Sequence, residues 1–236
     1  MTGRVVLATL LAGIVAGLIM GAIQHVRLTP LILAAEAYET ESAKTGHTHG
    51  SSANHETGHE HGSSAWVPTN GWQRSFATFL TAIMSGAAFA AVLAGISLLS
   101  GLRITRRNGL VWGMCGFLAV SLAPAIGLPP ELPGVPAGDL MARQVWWAAT
   151  IVATGLGLVL LASRQETWVI SLALILMALP HIIGAPHPMI TESSVPPALA
   201  ASFAANALAA NAIFWLLIGH FLALAFDRAA KDIYSQ

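Results

Sequence analysis

Six mostly apolar stretches recur along the chain, separated by polar or proline-rich connections, of which the first is long and the others short. They run from Val5 to about Val26, then Phe76–Ser100, Gly109–Leu128, Val145–Ser163, Trp168–Ile183 and Ala198–Phe226. About 20 apolar residues cross a bilayer as a helix, and all but the fifth come close to that length or exceed it. The fifth is short and contains Pro180. The sixth is longer than a bilayer requires, so it tilts or extends past one face. Lipid cannot satisfy the amides at the edge of an open sheet, and the alternating ten-residue segments of a membrane barrel are absent. The pattern therefore predicts an all-α polytopic bundle of about six transmembrane helices. It forms a single membrane domain over residues 1–236, with residues 41–70 inserted as a flexible outer loop between the first and second helices. The first stretch also resembles a secretory signal, Arg4 followed by an apolar core, and cleavage would leave five spans. Its apolar run is longer than a signal core, however, and no clear A-x-A site closes it.

Composition agrees with this pattern. Of the 236 residues, 55% are hydrophobic and 9% are charged, against roughly 25% charged in a soluble domain. Eleven basic and eleven acidic side chains cancel, leaving no net field to attract nucleic acid. The single cysteine, Cys115, excludes an internal disulfide and reads as a packing residue.

Basic residues in the loops set the orientation. With the N-terminus inside, the cytoplasmic face receives Arg4, Arg103, Arg106, Arg107, Arg164, Arg228 and Lys231, and the opposite face only Arg27, Lys44, Arg74 and Arg143. Seven against four favours both termini on the cytoplasmic side of an inner membrane. The same orientation puts nearly all other polar chemistry outside: His25, Glu36, Glu39, the histidine-rich loop, Glu131, Asp139, Arg143, His181, His187 and Glu192.

Within that loop, residues 46–62 read Gly-His-Thr-His-Gly-Ser-Ser-Ala-Asn-His-Glu-Thr-Gly-His-Glu-His-Gly and hold five of the nine histidines: His47, His49, His55, His59 and His61. Neutral imidazole is a good ligand for zinc, copper, nickel and cobalt. Glycine and serine make the segment a tether able to wrap an ion with several rings, and too little of it is apolar to build a core. Clustering favours metal capture over the plainer reading, a hydrophilic spacer.

A second constellation is Leu179-Pro-His-Ile-Ile-Gly-Ala-Pro-His-Pro188. Pro180 removes an amide and crowds the preceding turn, which predicts that the fifth helix kinks or ends there. An irregular outer segment carrying His181 and His187 would follow. Non-helical backbone at membrane depth survives when buried in protein or lining a wet cavity, as at transporter binding sites. The alternative is a re-entrant cap with both rings bonded to carbonyls.

Glu36 and Glu39 lie three apart on one helical face, either as a pair of cation ligands or as solvation for a helix leaving the membrane. Asp139 is suited to an N-cap, and Arg143 to pairing with it or with Glu131. Trp146 and Trp147 fall at the outer interface, as in an aromatic belt. Gly13, Gly17 and Gly21 form a small-residue stripe for close helix packing, and Asn206 and Asn211 read as interhelical hydrogen-bond donors. His220, toward the inner end of the last helix, is a candidate exit ligand or proton acceptor. Its plainer reading is a hydrogen-bonded structural histidine.

Taken in order, these pieces resemble the CbtA family, predicted cobalt transporter subunits of bacteria. The resemblance rests on the glycine-rich first span leading into Arg27-Leu-Thr-Pro-Leu-Ile-Leu and Glu-Ala-Tyr-Glu39. It continues through the histidine-rich loop, Leu128-Pro-Pro-Glu-Leu-Pro-Gly134, Asp139…Arg143-Gln-Val-Trp-Trp147 and the proline-rich segment ending at Pro188. It implies cobalt uptake for cobalamin synthesis, a small single-span partner, CbtB, that carries metal-binding histidines, and five spans where the pattern counts six.

No G-x-x-x-x-G-K-[ST] motif occurs, so the chain has no nucleotide site of that kind. The expected function is a transporter subunit, not an enzyme, with a divalent transition metal, cobalt favoured, as its cargo. The ligands would be the loop histidines, then Glu36, Glu39, Glu131, His181 and His187 at the outer mouth, with His220 toward the exit. About six oxygen and nitrogen ligands suit cobalt better than a tetrahedral thiolate site, which one cysteine cannot build. Membrane lipid, the CbtB-like subunit and further copies of the chain are the expected partners. Two rivals remain: an accessory protein that captures or senses metal without conducting it, and a membrane metalloenzyme. The latter lacks H-E-x-x-H and any evident nucleophile–base pair.

Overall fold

The computed structural model describes residues 2–46, 71–189 and 192–234, and all regular structure among them is helical. The elements are α1 (Thr2–Ile23), α2 (Thr29–Gly46), α3 (Trp72–Ser100), α4 (Gly109–Phe117), α5 (Ala123–Gly127), α6 (Leu140–Ser163), α7 (Thr167–Ile183) and α8 (Pro197–Tyr234). Five runs are long and apolar enough to cross a membrane: 3–40, 72–100, 109–127, 140–163 and 197–228. The 17-residue α7 is a shorter sixth apolar helix.

Two of these runs contain a widened turn. Residues 24–28 join α1 to α2 and residues 118–122 join α4 to α5, both as π-helix. Each lies just before a proline, Pro30 or Pro124. Proline has no N–H for the carbonyl four residues back, and its ring crowds that carbonyl. The helix adapts by bonding one residue further on. The N–H groups of Thr29 and Ala123 accordingly donate to the carbonyls of Gln24 and Leu118. The first span thus does not stop near Val26 as its hydropathy indicates, but passes through the π turn and continues into α2.

Helices pair antiparallel through small residues. On α1, a Cβ at Gly17 would lie 2.5 Å from the Ala82 carbonyl oxygen of α3, and Gly13 and Gly86 meet backbone to backbone. The glycine stripe is therefore a packing seam, as its spacing predicts. Gly109, Gly113 and Gly219 bring α4 equally close to α8; a Cβ at Gly109 would meet the Gly219 oxygen at 2.7 Å. Because α8 packs against both α1 and α4, it holds the core, where Trp215, Ile218 and Leu222 are fully buried. Phe89 of α3 lies over the Trp215 ring with centroids 4.8 Å apart. The α6–α7 hairpin packs mainly on itself. Outward-facing side chains such as Leu99 and Ile175 are 92% and 61% exposed, an arrangement suited to lipid and costly in water.

Several expectations change at this level. Pro180 does not end α7, which runs one further turn to Ile183 and stops at Gly184, whose φ of 86° is open to glycine but strained for other residues. The proline costs one amide, but its own carbonyl accepts from the Gly184 N–H at 3.0 Å, so the last turn survives. His181 therefore belongs to the helix, and only His187 to the irregular segment. Trp146 is buried, and its indole N–H donates to the Pro180 carbonyl at 3.0 Å. It locks α6 to α7, leaving Trp147 exposed. Asn206 and Asn211 bond to carbonyls of their own helix, Ser202 at 2.8 Å and Ala207 at 3.0 Å, so they do not bridge helices. Each finds an acceptor one turn back, which satisfies the amide locally.

Candidate functional site

The antiparallel order gathers the polar groups at two ends. At one end lie the π turn with His25, helix α2, the start of α3, the 128–139 loop, the start of α6 and the 184–196 segment. At the other lie Arg4, the 101–108 loop, Arg164 and the end of α8.

The first end is organised by α2, which lies over the loops. Ala35 is buried against Leu132 of the 128–139 loop and Val195 of the segment before α8, with Ile32, Val135 and Leu199 around them. This small core fixes the carboxylates on either side of it. Glu36 is held by Arg74 at the start of α3, whose second guanidinium nitrogen bonds the other carboxylate oxygen at 3.3 Å. Fork-on-fork contact of this kind sets both side chains in one geometry. Beside it, the Nδ1 of His25 is 3.5 Å from the Ser75 hydroxyl. Glu39 projects elsewhere: its side chain covers Gly134, at 2.8 Å from where a Cβ would stand. Glu36 and Glu39 thus share a helix but not a neighbour.

Glu131 accepts from Arg143 at 2.5 Å, both side chains about one-quarter exposed. Asp139 caps α6, accepting from the Ala142 N–H at 2.8 Å. Its carboxylate is therefore committed to the helix start, and Arg143 reaches across to Glu131. Ser193 donates to the Gly134 carbonyl at 3.1 Å, tying the segment before α8 to the same loop.

His181 is half-buried at the end of α7, edge-on to Trp146 with ring centroids 5.9 Å apart. His187 is exposed, and its backbone lies against Gly138, next to the α6 cap. Neither imidazole makes a hydrogen bond among the described residues, which leaves ring nitrogens open for a ligand. Glu192 is exposed. Among the described residues, no three His, Cys, Asp or Glu side chains converge as a metal site. His47, His49, His55, His59 and His61 lie outside the described residues.

At the opposite end, His220 is exposed on α8 and lines a cavity of about 210 Å³ with Arg106 and Leu110. Arg106 pairs with Asp227 at 2.8 Å, which fixes the 101–108 loop to the end of α8. His220 makes no hydrogen bond among the described residues, so the structural role read from sequence has no partner there. What sequence reasoning missed is Arg74, counted only as a loop charge. Its proximity to Glu36 depends on the antiparallel packing of α3 against α1 and on the continuation of α1 into α2, which no local spacing reveals.

A multi-pass helical membrane protein, with Glu36, Glu39, Glu131, His181 and His187 at one end and arginine-bearing loops at the other, is the class this architecture defines. Within that class the chain belongs to the CbtA family: the family model, described as a probable cobalt transporter subunit, matches residues 2–227. No curated protein and no solved structure matches the chain.

Proposed function

We propose that this chain is the membrane subunit of a bacterial inner-membrane transporter that takes up a transition-metal ion, cobalt before its neighbours, with both termini in the cytoplasm. The outer loop, with His47, His49, His55, His59 and His61, captures the ion and raises its local concentration. Glu36, Glu39, Glu131, His181 and His187 receive it at the outer mouth, and His220 serves on the exit side. A small single-span histidine-bearing subunit of the CbtB kind and further copies of the chain complete the assembly. The role is transport, not catalysis.

The observation that carries this reading is the near-complete family match, joined to the position of Glu36, Glu39, Glu131, His181 and His187 at the same end of a helical bundle. The chemistry is consistent with it. His181 and His187 have ring nitrogens without partners among the described residues, whereas Glu36 and Glu131 each hold an arginine. A cation reaching either carboxylate competes with a guanidinium, which keeps the empty mouth near charge balance and makes binding readily reversible. The test is cobalt uptake into proteoliposomes containing the purified chain, intact and as His181→Ala/His187→Ala, with nickel, zinc and copper as competitors. Uptake that the double variant loses is the expected result. Copper competition matters because copper outranks cobalt at an unconstrained histidine site.

One observation favours a second reading, an accessory subunit that captures metal without conducting it: no three ligands converge among the described residues. Under that reading the intact chain binds cobalt through the loop but shows no flux.

A further inference from the structure

At the basic end of the bundle, α1 and α8 separate to leave a groove of about 580 Å³. Its floor is apolar, with Leu11 and Val15 on one wall and Phe221 and Leu224 on the other, and Arg4 and Arg228 both line it. The two arginines are exposed, no acidic side chain lines the groove, and neither arginine is ion-paired among the described residues. Two unpaired cations at the edge of an apolar channel on a membrane-facing surface leave a charge that the described residues do not balance.

We propose that this groove binds an anionic phospholipid, its phosphate between Arg4 and Arg228 and an acyl chain along α1 toward Val15. Length supports this occupant. Arg4 to Val15 is 11 residues, or about 16 Å of helix, close to the roughly 15 Å of hydrocarbon in one leaflet. Charge supports it too, because guanidinium groups grip phosphate oxygens through paired N–H donors. An anionic headgroup adds no cation of its own, whereas a zwitterionic one brings an ammonium toward the two arginines. An apolar helix from a second copy or from another subunit would fill the floor and leave both arginines without a counter-charge. The inference is independent of the metal and of whether the chain conducts it.

The test uses the full chain in bilayers of phosphatidylcholine with graded phosphatidylglycerol, followed by native mass spectrometry of the retained lipid and by thermal unfolding. Phosphatidylglycerol should be retained in preference to phosphatidylcholine and should raise the unfolding temperature. Arg4→Gln/Arg228→Gln should weaken that preference about twenty-five-fold, from about fivefold per arginine, and Arg4→Lys/Arg228→Lys should keep most of it. Ala8→Trp, which narrows the groove with both arginines in place, should also abolish retention. Its unfolding without added lipid shows that the variant is folded. Equal retention of the two lipids, or retention unchanged in the Gln variant, overturns the site. Inorganic phosphate protecting as well as phosphatidylglycerol overturns the acyl part. Cross-linking of Leu11→Cys to another protein chain in native membranes, in place of lipid, overturns the occupant.

Discussion

At the scale of single residues, the arginine-held carboxylates are the sharpest result. Glu131 and Arg143 were within reach of a sequence argument, since Arg143 falls one turn into α6 and Glu131 on the loop leading to it. Glu36 with Arg74, 38 residues apart, was not. A double-mutant cycle on Glu131→Gln and Arg143→Gln should give a coupling of about 1 kcal/mol for so partly exposed a pair, read from unfolding in detergent. Additive effects would mean the pair is not held in solution. Thr154 offers a contrast: it is buried, and its hydroxyl finds no partner among the described residues. Thr154→Val keeps the shape and removes the unsatisfied group. It should leave unfolding stability unchanged or raise it by about 1 kcal/mol, whereas a loss of that size would reveal a hidden acceptor.

At the scale of elements, the apolar runs were legible because a bilayer imposes length and continuity on any helix that crosses it. Their ends were less so. Hydropathy alone closes the first span near Val26, but backbone bonding carries the helix through a π turn into α2, because Pro30 perturbs the ladder without breaking it. Pro180 teaches the same lesson: a proline near a helix end removes one bond, and α7 keeps its last turn. The close seams give an element-scale prediction. Gly86→Val places a branched side chain against the α1 backbone, whereas Gly95 on the same helix has open space around it. Gly86→Val should cost about 1–3 kcal/mol or more, and Gly95→Val much less. Thermal unfolding of both variants checks this, and equal losses would deny the α1–α3 seam.

For the whole molecule, antiparallel packing of the spans separates an end bearing Glu36, Glu39, Glu131, His181 and His187 from one with Arg4, Arg106 and Arg228, and the histidine-rich loop connects α2 to α3 at the first of these. Residues 47–61 contain too few apolar side chains to build a core. Deleting residues 47–61 should therefore leave the unfolding temperature unchanged while sharply lowering cobalt binding, measured by calorimetry on the same preparation. A fall in unfolding temperature without metal would show that the loop also supports the bundle. The class of fold, the number of apolar runs, the glycine seam and the Asp139 cap were set by the sequence alone. Each depends on residues close together in the chain, or on the lipid that every span must face. Which carboxylate meets which arginine, the burial of Trp146 against Pro180, the bonding of Asn206 and Asn211 within their own helix, and the groove between Arg4 and Arg228 were decided by tertiary structure. Those contacts join residues tens to hundreds of positions apart, or require that a local partner be chosen over a distant one. Only the three-dimensional arrangement of the helices determines that choice.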